Sequence, residues 1–189
     1  MDNFDVIVIG GGHAGVEACH ASSVMGLKTL LITLNKKMIS NMPCNPSIGG
    51  SAKGIVVREV DALGGIMGKA ADKKYIQIKM LNTGKGPGVQ CLRAQEDKYL
   101  YPSFIQDILD NTENLSIIED EVKEILYEGN VIKGVKAFKN GDIFAKAVVI
   151  ATGTYMESEI LRGHHKYSGG PDGEKPSCGL SKCLQKMGF

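Results

Sequence analysis

Residues 6–18 read VIVIGGGHAGVEA, an apolar run followed by three glycines and a stretch rich in small residues. The stretch Phe4–Ile9 is predicted to be a buried strand that glycine ends, and His13–Met25 to be a helix whose small residues allow close packing on a sheet. Gly26 ends that helix, and Lys28–Thr33 is predicted to be a second strand. Strand, helix and strand within about thirty residues predict a parallel βαβ unit.

The glycines have the spacing G-x-G-x-x-G in the context that dinucleotide binding requires, after a strand and at the start of a helix. Gly10 permits the tight turn, Gly12 lets a pyrophosphate approach the backbone, and Gly15 lets helix and strand pack closely. The N-terminus of the helix faces the phosphate charge. The residues predicted to bind the dinucleotide here are Gly10, Gly11, Gly12, His13, Ala14 and Gly15. For His13, capping or packing at the helix start is the alternative.

Two further features bear on which dinucleotide binds. The acidic residue expected about 20 positions on is absent, because the second strand ends at Thr33-Leu34-Asn35. Asn35 is predicted to bond the ribose as a neutral group, which weakens NAD as the ligand. A later strand, Ala147–Ala151, leads into Thr152-Gly153, as in FAD-binding domains of the glutathione-reductase type. FAD is therefore predicted, with Thr152 and Gly153 beside it.

The remaining chain alternates helical and strand patterns. We expect an α/β fold, a Rossmann-like FAD-binding domain of the glutathione-reductase type with a central parallel sheet and a β-meander. The expected division is 1–154 for this domain and 155–189 for the start of a following, truncated segment. The other predicted elements are a loop at Asn35–Lys53, helices at Gly54–Leu63, Arg93–Leu109 and Leu180–Met187, strands at Tyr75–Met80, Leu115–Glu119, Val122–Tyr127, Val131–Phe138 and Ile143–Phe144, and a polar glycine/proline-rich stretch at Gly163–Pro176.

Composition and residue patterns argue against several classes of protein. The 189 residues are 43% hydrophobic and 23% charged, with a net charge of +1, which describes a soluble globular protein without a general attraction to nucleic acid. There is no run of about 20 apolar residues, so no membrane span is expected. Asp2 and Asp5 stand where a signal peptide has basic residues. Five cysteines without a C-x-x-C pair predict neither disulfides nor a metal site, and His164 and His165 have no ligand-spaced partner.

Cys44 is the candidate for chemistry, in the stretch Met42–Gly50 (MPCNPSIGG). A thiol flanked by prolines and followed by glycines fits a rigid loop near a flavin, whereas the alternative is a small buried apolar residue. Lys53, Lys85 and Arg93 lie next to glycine-rich loops. They are candidates for phosphate contacts of tRNA or flavin, with ordinary surface charges as the alternative.

Several motifs occur together in a fixed order: GGGHAGVEA, CNPSIGGSAKG, EVDALGG, LNTGKGPGV, RAQEDK, and YSGG with a later PS. Over essentially all 189 residues the sequence resembles the N-terminal FAD-binding part of the MnmG/GidA family. These flavoproteins install a 5-carboxymethylaminomethyl-type group on the wobble uridine of certain tRNAs. CNPSIGG and KGPGV are far more specific signs of that family than the glycine turn.

The resemblance implies a cytoplasmic enzyme, homodimeric at full length, that binds FAD, takes electrons from NADH and a one-carbon unit from methylenetetrahydrofolate, and works with a GTPase partner. It implies that Cys44 is a nucleophile or acid–base thiol, whose thiolate adds to C6 of the uridine and makes C5 nucleophilic. It also implies that further segments of the enzyme follow residue 189. Two alternatives stay open: a general FAD/NAD(P)H oxidoreductase domain, which is disfavoured because Cys44 has no partner at the C-x4-C spacing of disulfide reductases, and a non-catalytic FAD-binding fragment.

Overall fold

The structure is a computed structural model that describes residues 3–170, 173 and 175–189. The chain forms two compact units, one made of Met1–Ile39 with Thr112–Phe189 and the other of Ser40–Asn111. Asp2, and residues 171, 172 and 174 of the predicted glycine/proline-rich stretch, lie outside the described residues. The division expected at residue 154 stays a prediction.

Eleven strands and five α-helices are described. The strands are β1 (Phe4–Ile9), β2 (Thr29–Thr33), β3 (Ser47–Gly49), β4 (Tyr75–Leu81), β5 (Cys91–Glu96), β6 (Leu115–Glu119), β7 (Val122–Glu128), β8 (Val131–Ala137), β9 (Gly141–Ile150), β10 (Glu159–Arg162) and β11 (His165–Ser168). The helices are α1 (His13–Val24), α2 (Lys53–Ala62), α3 (Met67–Lys74), α4 (Leu100–Asp110) and α5 (Leu180–Lys186).

The first unit is built on a six-stranded sheet in the order β6-β2-β1-β9-β8-β7. The first four strands are parallel, and β9, β8 and β7 form an antiparallel meander. The predicted α/β class, with its parallel sheet and meander, is confirmed. The separate strands predicted at Ile143–Phe144 and at Ala147–Ala151 are wrong, because β9 runs unbroken. Its first half pairs with β8 and its second half with β1.

The core of the first unit follows from the two-residue alternation of its strands. Ile7 and Ile9 lie on one face with Leu30, Ile32 and Leu180, and α5 contributes the last of these. Val8 and Leu31, which alternate with them, are completely buried at 0% exposure, and α1 contacts both β1 and β2. Burying each such side chain stabilises the fold by about 2 kcal/mol. The sheet edge that carries the glycine turn is therefore a rigid support.

The second unit has an antiparallel sheet in the order β3-β5-β4, with α2, α3 and α4. The single helix predicted over Arg93–Leu109 is wrong, because β5 is the central strand and α4 begins only at Leu100. Asp97 separates the two: its Oδ1 accepts hydrogen bonds from the backbone N–H groups of Tyr99 and Leu100, both at 2.9 Å. Such a carboxylate satisfies the donors of a first helical turn.

Other differences are local. The stretch predicted as a loop at Asn35–Lys53 contains a 3-10 turn, Lys36–Met38, and the short strand β3. Helix α3 was not predicted, and the hairpin β10–β11, also not predicted, extends into the glycine/proline-rich stretch that begins at Gly163. No helix among the described residues is long and apolar enough to cross a membrane.

Candidate dinucleotide site and cysteine loop

The glycine turn follows β1 at the carboxyl edge of the parallel sheet. Gly10 N–H donates to Ile32 O at 2.8 Å, and Ala151 N–H donates to Ile9 O at 2.8 Å, so the ends of β2 and β9 flank the turn. A Cβ built on Gly10 would lie 3.1 Å from the Cα of Thr152. The turn at Thr152-Gly153 is thus brought beside the glycine turn, although Gly10 and Thr152 are 142 positions apart in the sequence.

Three of the four glycines in the turn are required by the chain itself. Gly10 has φ +109°, and a Cβ there would overlap the carbonyl of Ala151. A Cβ on Gly15 would overlap the carbonyl of Gly10, and one on Gly11 would lie 2.9 Å from Oγ1 of Thr33. Close approach of backbone to backbone explains Gly10 and Gly15 without any ligand, and packing against the side chain of Thr33 explains Gly11.

Gly12 is different, because the protein's own packing does not require a glycine there. Its φ of −71° and ψ of 176° suit any residue, and an added Cβ would have no described atom within 4 Å. Gly12 is also the exposed N-cap of α1, where no described side chain caps the helix and the first turn carries no acidic residue. Open space next to uncapped N–H groups fits a group of negative charge such as a pyrophosphate.

The other predicted cofactor residues line the same sheet edge. Asn35 is half-buried, and its Oδ1 accepts from the backbone N–H of Lys37 at 3.0 Å. Thr152 is half-buried and Gly153 is exposed with φ +59°. His13 and Ala14 open α1, half-buried and exposed respectively. Binding of a cofactor by these residues remains a prediction.

A carboxylate does stand at the end of β2, although β6 supplies it. Oε2 of Glu119 accepts the backbone N–H of Lys36 at 3.2 Å. Glu119 was not predicted from the sequence, because the acidic residue was expected at the end of β2 itself. Glu119 and Lys36 are 83 positions apart. Only the pairing of β2 with β6 brings them together.

The second unit contains Cys44, which is exposed. The alternative interpretation of Cys44 as a buried apolar residue is therefore wrong. All five cysteines are free, and Cys19 and Cys91 are the buried ones. Burial raises the pKa of the Cys19 thiol to about 12, so this thiol stays protonated. Among the described residues, no group of three or more His, Cys, Asp and Glu side chains could hold a metal ion.

Two of the predicted phosphate-contacting cations are engaged within the second unit. Lys53 Nζ donates to Ser47 O at 3.1 Å, and Arg93 Nη2 donates to Ser47 Oγ at 3.2 Å. Partial desolvation of its ammonium, together with the nearby Arg93 charge, lowers the pKa of Lys53, although the residue as a whole is exposed. Lys85 is exposed, and its backbone carbonyl accepts from Gln90 Nε2 at 3.1 Å. The structure thus gives Lys53 and Arg93 a role in holding the segment after Cys44.

A cavity of about 270 Å³ also lies in the second unit. Its polar lining includes Arg58, Asp61 and Asp72, from α2 and α3. Cys44 does not line this cavity, so the thiol and the cavity are separate features.

The comparisons with known proteins agree with one another. The model of the family described as "Glucose inhibited division protein A" matches residues 5–189. Among curated relatives, the "tRNA uridine 5-carboxymethylaminomethyl modification enzyme MnmG" of Geobacillus thermodenitrificans is 57% identical over 187 residues, which cover 99% of this chain and 30% of that protein. The protein of the same name from Streptococcus agalactiae is 54% identical over 188 residues, again 30% of its length.

Solved structures give the same result. The structure of Aquifex aeolicus GidA superposes with a TM-score of 0.94 at 49% identity, over 100% of this chain and 31% of that chain. The GidA-related protein from Thermus thermophilus has a TM-score of 0.71 at 17% identity, over 98% of this chain and 69% of that chain, which shows a shared fold. The chain spans about 30% of the length of the curated relatives it matches. With its glycine turn, its cysteine loop and a family match over nearly its whole length, the chain belongs to the glucose-inhibited division protein A (GidA/MnmG) family.

Proposed function

We propose that this chain is the FAD-binding part of an enzyme that installs a carboxymethylaminomethyl-type group at C5 of the wobble uridine in tRNA. The observation that carries the cofactor assignment is the open space at Gly12 beside the uncapped start of α1. The names of relatives at 57% and 54% identity carry the tRNA assignment. The turn from Gly10 to Gly15, with Thr152 and Gly153, would hold FAD, and Asn35 would face its ribose.

Bound FAD supplies hydride chemistry, which no side chain of the protein provides. The backbone N–H groups at the start of α1 bind and orient the pyrophosphate, because the helix end carries a partial positive charge. The close packing of Gly15 on Gly10 fixes the direction of α1 relative to β1, and therefore the direction in which those N–H groups point. The chain's contribution at this site is thus binding and orientation.

Cys44 is the proposed nucleophile. Its thiolate forms a bond to C6 of the uridine, and the electron pair of the C5–C6 double bond moves to C5. C5 then bonds to the methylene carbon of an iminium group derived from the one-carbon donor, whose C=N π electrons move to nitrogen, and loss of the C5 proton with departure of the thiolate restores the C5–C6 double bond. The exposure of Cys44 supports this role, because a nucleophile must reach a base that has left its stack.

The remaining parts of the proposal concern the whole enzyme. We expect NADH as the reductant, methylenetetrahydrofolate as the one-carbon donor, a GTPase partner, a homodimer and a location in the cytoplasm, where tRNA is modified. A general FAD/NAD(P)H oxidoreductase is disfavoured for the same reason as before, since Cys44 has no second cysteine at disulfide-reductase spacing.

One experiment tests the cofactor and the nucleophile together. The purified protein should show flavin absorbance, and its full-length form should yield the modified wobble uridine when supplied with NADH and methylenetetrahydrofolate. The variant Cys44→Ser should keep the flavin and lose the product, whereas Cys178→Ser, the matched change at another exposed cysteine, should keep both. A protein that neither contains nor takes up FAD contradicts the cofactor assignment. Undiminished product from Cys44→Ser contradicts the role of Cys44.

A further inference from the structure

Residues 43–47 (PCNPS), within the stretch Met42–Gly50, meet the motif RAQEDK in the second unit. The first is the loop that carries Cys44, and the second covers the end of β5 and the residues before α4. We propose that RAQEDK positions the thiol of Cys44, with Lys98 and Gln95 as positioning residues. This inference rests on the proposed function, since Cys44 is the nucleophile proposed there.

The backbone is held on both sides of Cys44. Lys98 Nζ donates to Pro43 O at 3.1 Å, immediately before the cysteine. Two residues after it, Pro46 O accepts from Gln95 Nε2 at 2.8 Å and from the backbone N–H of Glu96 at 2.7 Å. The fixed carbonyls thus leave only Cys44 and Asn45 between them, and both of these are exposed.

The same strand also anchors the segment that follows the loop. Ser47 pairs with Gln95 and Gly49 with Arg93 in the antiparallel ladder of β3 and β5. The strands approach so closely that a Cβ on Gly49 would overlap the carbonyl of Leu92. Arg93 and Lys53 both contact Ser47, the first residue of β3, so the loop ends on a rigid base.

The loop needs such external support because of its own sequence. Pro43 and Pro46 have no N–H to donate, and residues 41–46 form neither helix nor strand. Side-chain donors from RAQEDK therefore hold this loop in place, as backbone hydrogen bonds between strands hold the rest of the sheet. Lys98 and Gln95 are half-buried and lie outside the hydrophobic core, so each can be changed without removing a core side chain.

The position of the loop is testable apart from activity. In a Cys178→Ser background, a methanethiosulfonate nitroxide attached to Cys44 reports loop motion on the nanosecond scale. Lys98→Met and Gln95→Leu remove the donors while keeping side-chain length or volume, and both should make the probe at least about twofold more mobile. Lys98→Arg, which retains a donor, should leave the mobility near the original value. Lys136→Met, at an exposed lysine of β8, is the matched control and should change nothing.

The enzyme assay completes the test. In full-length protein, Lys98→Met and Gln95→Leu should lower kcat for uridine modification by about 10- to 100-fold, with KM and flavin content unchanged, because a displaced nucleophile loses productive geometry. Lys98→Arg should recover most of kcat. An immobile probe in both donor-removing variants, or a mobile probe with full kcat, overturns the inference. If Cys44→Ser is fully active, the proposed nucleophile fails; if it is inactive while Lys98→Met is fully active, only the positioning role fails.

Discussion

Replacing Glu96 with glutamine should stabilise the protein at alkaline pH. Glu96 lies at the end of β5 and is 0% exposed, and neither carboxyl oxygen has a hydrogen-bond partner among the described residues. Burial, reinforced by the Asp72 carboxylate and opposed by the Lys53 ammonium, raises the pKa of Glu96 from 4.5 to about 7. Because ionising a buried carboxyl without a partner is unfavourable, Glu96 stays neutral in the folded protein. This lowers the free energy of unfolding once the pH is high enough to ionise the same carboxyl in the unfolded chain.

The sign of the effect follows from the two pKa values. Below about pH 4 the carboxyl is protonated in the folded and the unfolded chain and contributes nothing to the pH dependence. Between 4.5 and about 7 the unfolded chain loses the proton while the folded chain keeps it, so stability falls as the pH rises. The interval between these two pKa values corresponds to about 3 kcal/mol at 1.36 kcal/mol per unit. Glutamine cannot ionise and removes this loss.

The assay is urea unfolding followed by far-UV circular dichroism near pH 4 and near pH 8. Relative to the original protein, Glu96→Gln should gain about 3 kcal/mol in free energy of unfolding near pH 8 and less than about 1 kcal/mol near pH 4. Glu59→Gln, at an exposed glutamate of α2, is the matched control and should show no comparable gain. An equal change at both pH values, or a loss of stability near pH 8, would refute the reasoning.

Two further substitutions separate packing from ligand binding and test a turn. Gly15→Ala should prevent stable folding because its Cβ meets the carbonyl of Gly10. Gly12→Ala should melt within a few degrees of the original protein yet bind FAD at least about tenfold more weakly by flavin titration. Normal FAD affinity in Gly12→Ala would count against the pyrophosphate site. Asp120→Asn should cost about 2 kcal/mol at neutral pH, since this nearly buried carboxylate accepts from the backbone N–H groups of Glu121, Lys139 and Asn140. Although burial opposes them, these hydrogen bonds lower the pKa of Asp120. The loss of stability in Asp120→Asn should therefore shrink as the pH falls below 3.8. A loss that does not depend on pH in urea unfolding would contradict this account.

Elements with a strong local pattern were predictable from the sequence. The boundaries of β1, the start of α1 and the meander follow from alternation, glycine and turn residues, which act over a few positions. The helix predicted over Arg93–Leu109 failed because β5 owes its conformation to pairing with β3 and β4, and that pairing is not visible in the local sequence. The start of α4 could have been found, since an aspartate such as Asp97 often accepts from backbone N–H groups just before a helix, as it does here from Tyr99 and Leu100.

Some features of the candidate site were also predictable from the sequence, and others were not. The glycine turn was predicted from its spacing, and its proximity to Thr152 from the resemblance to known flavoprotein domains. Glu119 and Lys98 were not predicted, because each meets its partner across 83 or 55 positions of sequence. RAQEDK was recognised as a motif, but its hydrogen bonds to the cysteine loop depend on the ladder between β3 and β5. The spacing of nearby residues can be read from the sequence, whereas contacts between residues far apart in the sequence depend on the fold.

The continuity of β9 also has a consequence for how the protein is made. The turn at Gly10 is completed only when Ala151, at the far end of that strand, lies against it. During synthesis at about 5–20 residues per second, roughly 7 to 28 s pass between the emergence of the two. Throughout that interval the nascent chain has a central strand without its parallel neighbour on one side. The glycine turn is therefore complete only after Ala151 has been synthesised, and a ligand that needs the complete turn cannot assist the folding steps that come before.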